Sequence, residues 1–191
     1  KFGDYLVATD QRRHVCIREF VNEQVSRWPA EGLAAYRAAF EGAARTALKS
    51  AMLESGEEAL IRVSDRYFAT HSGAAALDEA GERAIERGAF MSAHRWYLKL
   101  AEQHPDRTRQ TGGTPPTRVI NGRAWAAKAA ICSTFEGNES PLRVLIGGLE
   151  DEKSDETVTW GGREQPLVEF LRGVLAEATK SSAKPGRSEA I

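Results

Sequence analysis

The chain has 191 residues, 41% apolar and 28% charged, with a formal net charge of -1. That length suits one domain or two small ones and buries on the order of two thirds of the unfolded chain's surface, so a core forms without staples. The near-neutral charge excludes a general attraction to nucleic acid or anionic lipid, and no apolar run approaches the roughly 20 residues needed to span a bilayer.

The N-terminus shows neither an initiator Met nor a signal-peptide pattern, so Lys1 reads as the edge of a piece cut from a longer protein. Two β-leaning runs, Tyr5 to Thr9 and His14 to Ile17, flank Asp10-Gln11-Arg12-Arg13 and fit a small N-terminal hairpin. A two-stranded hairpin alone is marginal in water, so this one must lean on the helices or on a neighbour. From Ile17, the apolar positions Phe20, Val21, Val25 and Trp28 return to helical spacing, and Pro29 ends that helix. Leu33, Tyr36, Phe40, Ala44, Ala47, Leu48 and Met52 keep the next stripe, with Gly42 expected to weaken its middle or divide it. Ser55-Gly56 breaks the run, and Leu60, Ile61, Val63, Tyr67 and Phe68 return as the partner helix, so Leu33 to Thr70 reads as an antiparallel hairpin. His71-Ser72-Gly73 leads onward as a connector.

The most informative stretch runs from Ala74 to Pro105. Leu77, Ala80, Gly81 and Ala84 recur at helical spacing and form a face of small residues. Gly88 supplies a helix stop, and Phe90, Ala93, Trp96, Tyr97 and Leu100 follow on a second helix. Small residues opposite aromatics let two axes approach, with Tyr97 and Trp96 expected to fill the space above Gly81 and Ala84. The pattern Leu77, Ala80, Gly81, Ala84, Gly88, Phe90, Ala93, Tyr97, Leu100, Pro105 resembles one tetratricopeptide repeat, with Leu77, Ala80 and Ala84 standing where the consensus has Trp, Leu and an aromatic. Gly56 would then play the part of Gly88, 32 residues earlier, close to the period of about 34.

After Pro105, Gly112-Gly113 and Pro115-Pro116 exclude regular structure, and the loop Asp106 to Thr117 is the first place to look for a contact site. Val119 to Phe135, with Trp125, Ala129 and Cys132 on one face, and Leu142, Leu145, Ile146 and Leu149 beyond Gly137 make a third hairpin. The acidic stretch Glu150 to Glu156 reads as a solvated loop before Val158-Thr159-Trp160-Gly161-Gly162. A final helix through Leu167, Phe170, Leu171, Val174 and Leu175 caps the array. The expected fold is all-α, a tetratricopeptide-like α-solenoid of antiparallel hairpins over residues 1–178, with residues 179–191 as a disordered linker.

No motif specifies a reaction. Cys16 and Cys132 sit among apolar neighbours and read as buried free thiols, and none of His14, His71, His94 and His104 has metal-site spacing, so neither a catalytic residue nor a metal or other cofactor is expected. His94 reads as a partly exposed helix residue and the carboxylates as solvated faces. In a tetratricopeptide stack the first helix of each hairpin lines the concave surface, which by resemblance puts Asp78, Glu82, Ile85 and Glu86 in the groove. An acidic groove disfavours a carboxylate-terminal ligand and favours a basic or neutral one, although an unused solvated surface explains the same residues.

A wider resemblance rests on YLVAT, RHVCIREFVNEQVSRWPAEGLAAYRAAF, DRYFATHSG and WGGREQPL. Together these are similar to the helical region upstream of pyrroloquinoline-quinone-like β-propellers in large bacterial envelope proteins, covering about Tyr5 to Leu175, most specifically Pro29 to Tyr36 and Arg66 to Gly73. In that family the propeller resembles the outer-membrane assembly lipoprotein. The resemblance implies a noncatalytic scaffold in the cell envelope or periplasm that docks a protein or peptide, including a neighbouring propeller of the same chain. It leaves open an accessory domain of a quinoprotein-like enzyme, with the Asp106 to Thr117 loop overhanging an active site elsewhere.

Overall fold

The computed structural model describes residues 6–8, 14–108, 122–160 and 163–182. The expected turn at Asp10 to Arg13, most of the loop to Thr117, the helix start at Val119 and the tail beyond Ser182 lie outside the described residues.

The chain is mainly helical. Strands β1 (Leu6–Ala8) and β2 (His14–Cys16) pair antiparallel, with Leu6 opposite Cys16, as the two β-leaning runs predict. Helix α1 (Ile17–Ser26) follows directly and packs on α3. Helix α2 (Ala30–Met52) is one continuous rod, because Gly42 lies on an exposed face where no packing is interrupted, so the expected division is corrected. Pro29 is the N-cap of α2 rather than the last residue of α1. Helices α3 (Glu58–Tyr67), α4 (His71–Glu86), α5 (Phe90–Gln103), α6 (Gly122–Phe135), α7 (Ser140–Asp151) and α8 (Leu167–Ser182) each pack against the next, and α2 also touches α4 as α6 touches α8. Helix α8 continues through Ser182, so the first residues of the expected linker are helical.

This order of packing divides the core into three pools. Ala44, Leu60, Val63 and Ala76 join α2, α3 and α4. Phe68, Leu77, Tyr97, Leu100 and Trp125 join the end of α3 to α4, α5 and α6, and Leu142, Ile146, Leu149 and Leu171 join α7 and α8 to α6 through Ala127 and Ala130. Each pool draws on neighbours in sequence, as expected when amphipathic helices of about three turns cannot bury their apolar faces alone.

The helix ends have local causes. At Gly88 (φ 75°) the Gly88 N–H donates to Ile85 O at 2.9 Å and Ala89 N–H to Ala84 O at 2.8 Å, the paired bonds of a Schellman stop. Gly137 (φ 87°) repeats this with Thr134 and Ser133, both at 3.0 Å. Gly56 does not, since among the described residues only Gly88 and Gly137 are glycines with positive φ, and this corrects the expected equivalence of Gly56 and Gly88. His71-Ser72-Gly73 is the first turn of α4 rather than a connector. Thr70 caps that turn, its Oγ1 accepting from Gly73 N–H at 2.9 Å and donating to Tyr67 O at 2.7 Å.

A second hairpin, β3 (Thr157–Trp160) with β4 (Arg163–Pro166), stands between α7 and α8, where the sequence reading assigned no element, and the solvated loop expected over Glu150 to Glu156 begins later because α7 runs through Asp151.

Candidate interaction surface

The expected nest between α4 and α5 is present. Leu77, Ala80, Gly81, Ala84, Ala93, Tyr97 and Leu100 are buried, and the half-buried Phe90 stacks on Phe135 of α6 at 4.9 Å between centroids. Tyr97 lies directly over Gly81, and a Cβ built there would stand 2.6 Å from the Tyr97 hydroxyl oxygen. Trp96 is half-buried and packs against both the pool that holds Ala84 and the pool that joins α2, α3 and α4.

The four positions expected to line a groove share one side of α4 but have different surroundings. Lys128 of α6 reaches across and donates to Asp78 Oδ1 at 2.8 Å and to Glu82 Oε1 at 2.5 Å, its Nζ also lying 4.9 Å from the Tyr97 ring centroid. Burial alone would lower the Lys128 pKa, but the two carboxylates carry it above the ordinary lysine value. Burial, with Glu82 and Asp78 beside it, pushes the Tyr97 hydroxyl far above the usual tyrosine range. Asp78 and Glu82 are therefore ion-paired across the seam between α4 and α6. Ile85 packs against the central core, and Glu86 remains exposed with no ion pair among the described residues.

The neighbouring titratable groups are structural in their surroundings. His94 is half-buried, and its Nδ1 lies 2.8 Å from Ala129 O, where a carbonyl requires the proton on that nitrogen. Cys132 is buried, and burial pushes its thiol up to about 11, so the thiolate that reactivity needs is disfavoured. Cys16 is half-buried where a buried thiol was expected, and no disulfide joins it to Cys132.

A polar junction that sequence reasoning did not assemble ties α2 to the start of α4 and the end of α5. Glu41 accepts from the His71 and Ser72 backbone N–H groups at 2.9 and 3.0 Å and from Ser72 Oγ at 2.6 Å. Burial would raise its pKa, yet these donors hold it below the usual value. Asp106, in the 3₁₀ turn Pro105–Thr108, bonds Arg37 Nη2 and His71 Nδ1, each at 3.0 Å. Burial would raise the Asp106 pKa, but His71, His104 and Arg37 outweigh it and hold the carboxyl well below the usual range. His104 is fully buried between Phe68 and Trp125, with ring centroids 5.4 Å away on each side, and burial lowers its pKa to about 4. The only local clue was that His71, His104 and Asp106 lie near the two ends of the repeat, at separations periodicity cannot connect.

An open cleft of about 520 Å³ lies among β2, α1, α3 and α5, lined by Cys16, Arg18, Asp65, Arg95, Trp96 and Lys99 among others. Arg18 and Lys99 converge on Asp65 at 3.5 and 3.6 Å, so much of its charge is matched internally. Among the described residues no group of three or more His, Cys, Asp or Glu is arranged to hold a metal ion, and no helix is long and apolar enough to cross a membrane.

No protein-family model, curated protein or solved structure matches this chain. The arguments for function therefore start from the surfaces just described. On α4, Glu86 is exposed and Ile85 half-buried, and Met91 of α5 and Phe135 of α6 are exposed apolar side chains.

Proposed function

We propose that this chain is a noncatalytic protein-interaction or scaffold module, built as a tetratricopeptide-like stack of the hairpins α2–α3, α4–α5 and α6–α7 and closed by α8. It holds a protein or peptide, with a β-propeller of the same polypeptide a natural neighbour, within a larger bacterial envelope protein. The observation that carries this reading is the nesting of Tyr97 over Gly81, with core pools that pass from one helix pair to the next. Such stacking keeps each unit's solvent side free for contacts.

The Lys128 clamp changes the expected ligand contacts. With Asp78 and Glu82 both engaged by the single cation of Lys128, the unengaged carboxylate along α4 is Glu86, beside half-buried Ile85, which suits a peptide with a basic residue next to an apolar one. The test is fluorescence anisotropy of basic-apolar peptides against the purified chain at low and high salt. The expected outcome is saturable, salt-sensitive binding that Glu86→Lys weakens about tenfold, equivalent to about 1.4 kcal/mol. Binding indifferent to Glu86→Lys and to salt, or saturable uptake of a quinone in place of a peptide, would refute it.

A further inference from the structure

The β3–β4 hairpin has two unlike edges. Leu167 N–H donates to Glu156 O at 2.8 Å, which extends the register of Thr157 opposite Pro166 and Val158 opposite Gln165 by one pair. Hydrogen-bonded and non-hydrogen-bonded pairs alternate along an antiparallel ladder. Val158 with Gln165 and Trp160 with Arg163 are thus the bonded pairs. Thr157 with Pro166 and Thr159 with Glu164 are the non-bonded pairs, and their backbone groups aim away from the partner strand.

The consequence is asymmetric. On the outer edge of β4, Pro166 has no N–H, a feature that keeps a strand from pairing further, while the Glu164 carboxylate reaches back across the ladder and accepts from Thr157 Oγ1 at 2.6 Å. On the outer edge of β3, Thr157 and Thr159 each present an N–H and a C=O in the uncharged, β-favouring run Thr157-Val158-Thr159-Trp160. By this register those groups lie outside the β3–β4 ladder. Val158 meanwhile packs against the third core pool and anchors the strand to the helices.

The charge beside this edge is also specific. Glu150 pairs with Arg172 at 2.6 Å, and Glu152 and Glu156 pair with Arg123 at 2.7 Å each. Asp151 and Asp155 are exposed with no ion pair among the described residues, and Asp155 precedes β3 by two positions.

We propose that the outer edge of β3 is a strand-addition site for an extended segment of another polypeptide, with alternating β-branched and polar residues and a Lys or Arg beside Asp155. Backbone bonds to Thr157 and Thr159 supply the affinity, and the basic residue fixes the position along the strand. The third strand also relieves the marginal stability of a two-stranded hairpin. The proposal rests on the interaction-module reading in taking a polypeptide ligand, but it uses a face remote in sequence from α4.

The test uses the full chain labelled for amide NMR and the probe acetyl-Lys-Thr-Val-Thr-Val-Thr-Lys-amide. In the free protein the Thr157 and Thr159 amides should exchange at least tenfold faster than those of Val158 and Trp160. The probe should slow them at least tenfold. Methylating the probe's backbone nitrogens at alternate residues should abolish binding in one phase and spare it in the other. Thr159→Pro, which copies the device of Pro166 without removing a ladder bond, should raise the Kd at least tenfold; Thr157→Pro makes the same test should the first variant misfold. Equal exchange in the free protein, equal effects of the two methylation phases, or unchanged affinity in both variants would overturn the proposal. Shifts confined to Ile85 and Glu86 would overturn it and leave the α4 reading standing. Self-association at high concentration that Thr159→Pro abolishes would also overturn it, making a second copy the occupant.

Discussion

Replacing Gly81 with alanine should destabilise the protein, against the usual direction for an interior helix position. Helix propensity alone favours alanine by about 1 kcal/mol. The new Cβ, however, would stand 2.6 Å from the Tyr97 hydroxyl oxygen and 2.8 Å from Cε2. Tyr97 has little room to retreat: it is fully buried, its hydroxyl donates to Asp78 O at 3.3 Å, and Lys128 lies 4.9 Å from its ring centroid. Overpacking of this kind costs about 1–3 kcal/mol, so Gly81→Ala should lose about 1 kcal/mol net, and Gly81→Leu roughly 1–3 kcal/mol. The assay is urea unfolding followed by far-ultraviolet circular dichroism, comparing midpoints at constant slope. The decisive control is the same substitution in a Tyr97→Leu background, where the obstructing phenol is gone and propensity should prevail. There Gly81→Ala should stabilise by up to about 1 kcal/mol, which makes the coupling energy about 2 kcal/mol. A raised midpoint in the wild-type background, or equal effects in both, would refute the nesting.

Gly73→Ala should cost more than Gly81→Ala, at or beyond the upper end of about 1–3 kcal/mol, because the new Cβ meets the Tyr67 carbonyl and lies 3.1 Å from Phe68 N, and backbone cannot turn away as a side chain can; the same urea titrations rank the two. Glu41→Ala should lose about 1–3 kcal/mol by leaving the His71 and Ser72 N–H groups without their acceptor, and Glu41→Gln should recover part of it. Lys153 holds φ 52° at the C-terminal stop of α7, where Ser154 N–H bonds Leu149 O at 2.9 Å, so Lys153→Gly should stabilise by about 1 kcal/mol, read as a higher thermal midpoint. His104 is kept neutral by burial, with a folded pKa of about 4 below the ordinary 6.5, so its contribution is complete above pH 6.5 and is lost as the pH falls toward 4. That loss is at most roughly 3 kcal/mol. Asp106, held low, stays ionised through that window, and His104→Gln should flatten the stability profile between pH 6.5 and 4; an identical slope in variant and wild type would refute the assignment.

The parts of the fold legible in the sequence were those set by local chemistry. The α4–α5 hairpin was readable because small and aromatic residues alternate between two amphipathic runs with Gly88 between them, and Gly88 stops the helix by the geometry that role requires. The N-cap of α4 was missed although Thr70 stood three residues before Gly73, because the apolar pattern begins only at Ala74 and drew the boundary with it. The second hairpin was missed for a related reason. Thr157-Val158-Thr159-Trp160 followed by two glycines is a strand-and-turn signal, but the sequence reading stopped at the solvated acidic run before it and assigned these residues no element. Gly56 was misread because a period near 34 was extended from one repeat to its neighbour, whereas the turn after α2 is held in part by Arg83, which donates to the carbonyls of Met52, Glu54 and Gly56 at 3.2, 2.5 and 3.3 Å.

That last contact belongs to a pattern that bears on the candidate surface as a whole. Arg83 braces the end of α2, Lys128 braces α4 against α6, Arg37 braces the end of α5, and Arg123 braces the residues that lead into β3. In each case a cation on one element answers carboxylates or carbonyls some 30 to 70 residues away in sequence. Helical periodicity assigns a residue to a face but cannot say which faces meet, so Asp78 and Glu82 looked like free groove charges until Lys128 was placed beside them. Beside the two candidate surfaces, the carboxylates with no ion pair among the described residues are Glu86 on α4 and Asp151 and Asp155 before β3, and the register turns the backbone of Thr157 and Thr159 outward. A partner that binds through charge alone would have to compete with bridges already formed inside the protein, whereas one that adds a strand to β3 displaces only water. Added salt should therefore weaken peptide binding at Glu86 steeply and binding at the β3 edge only slightly, because backbone pairing carries little net charge to screen.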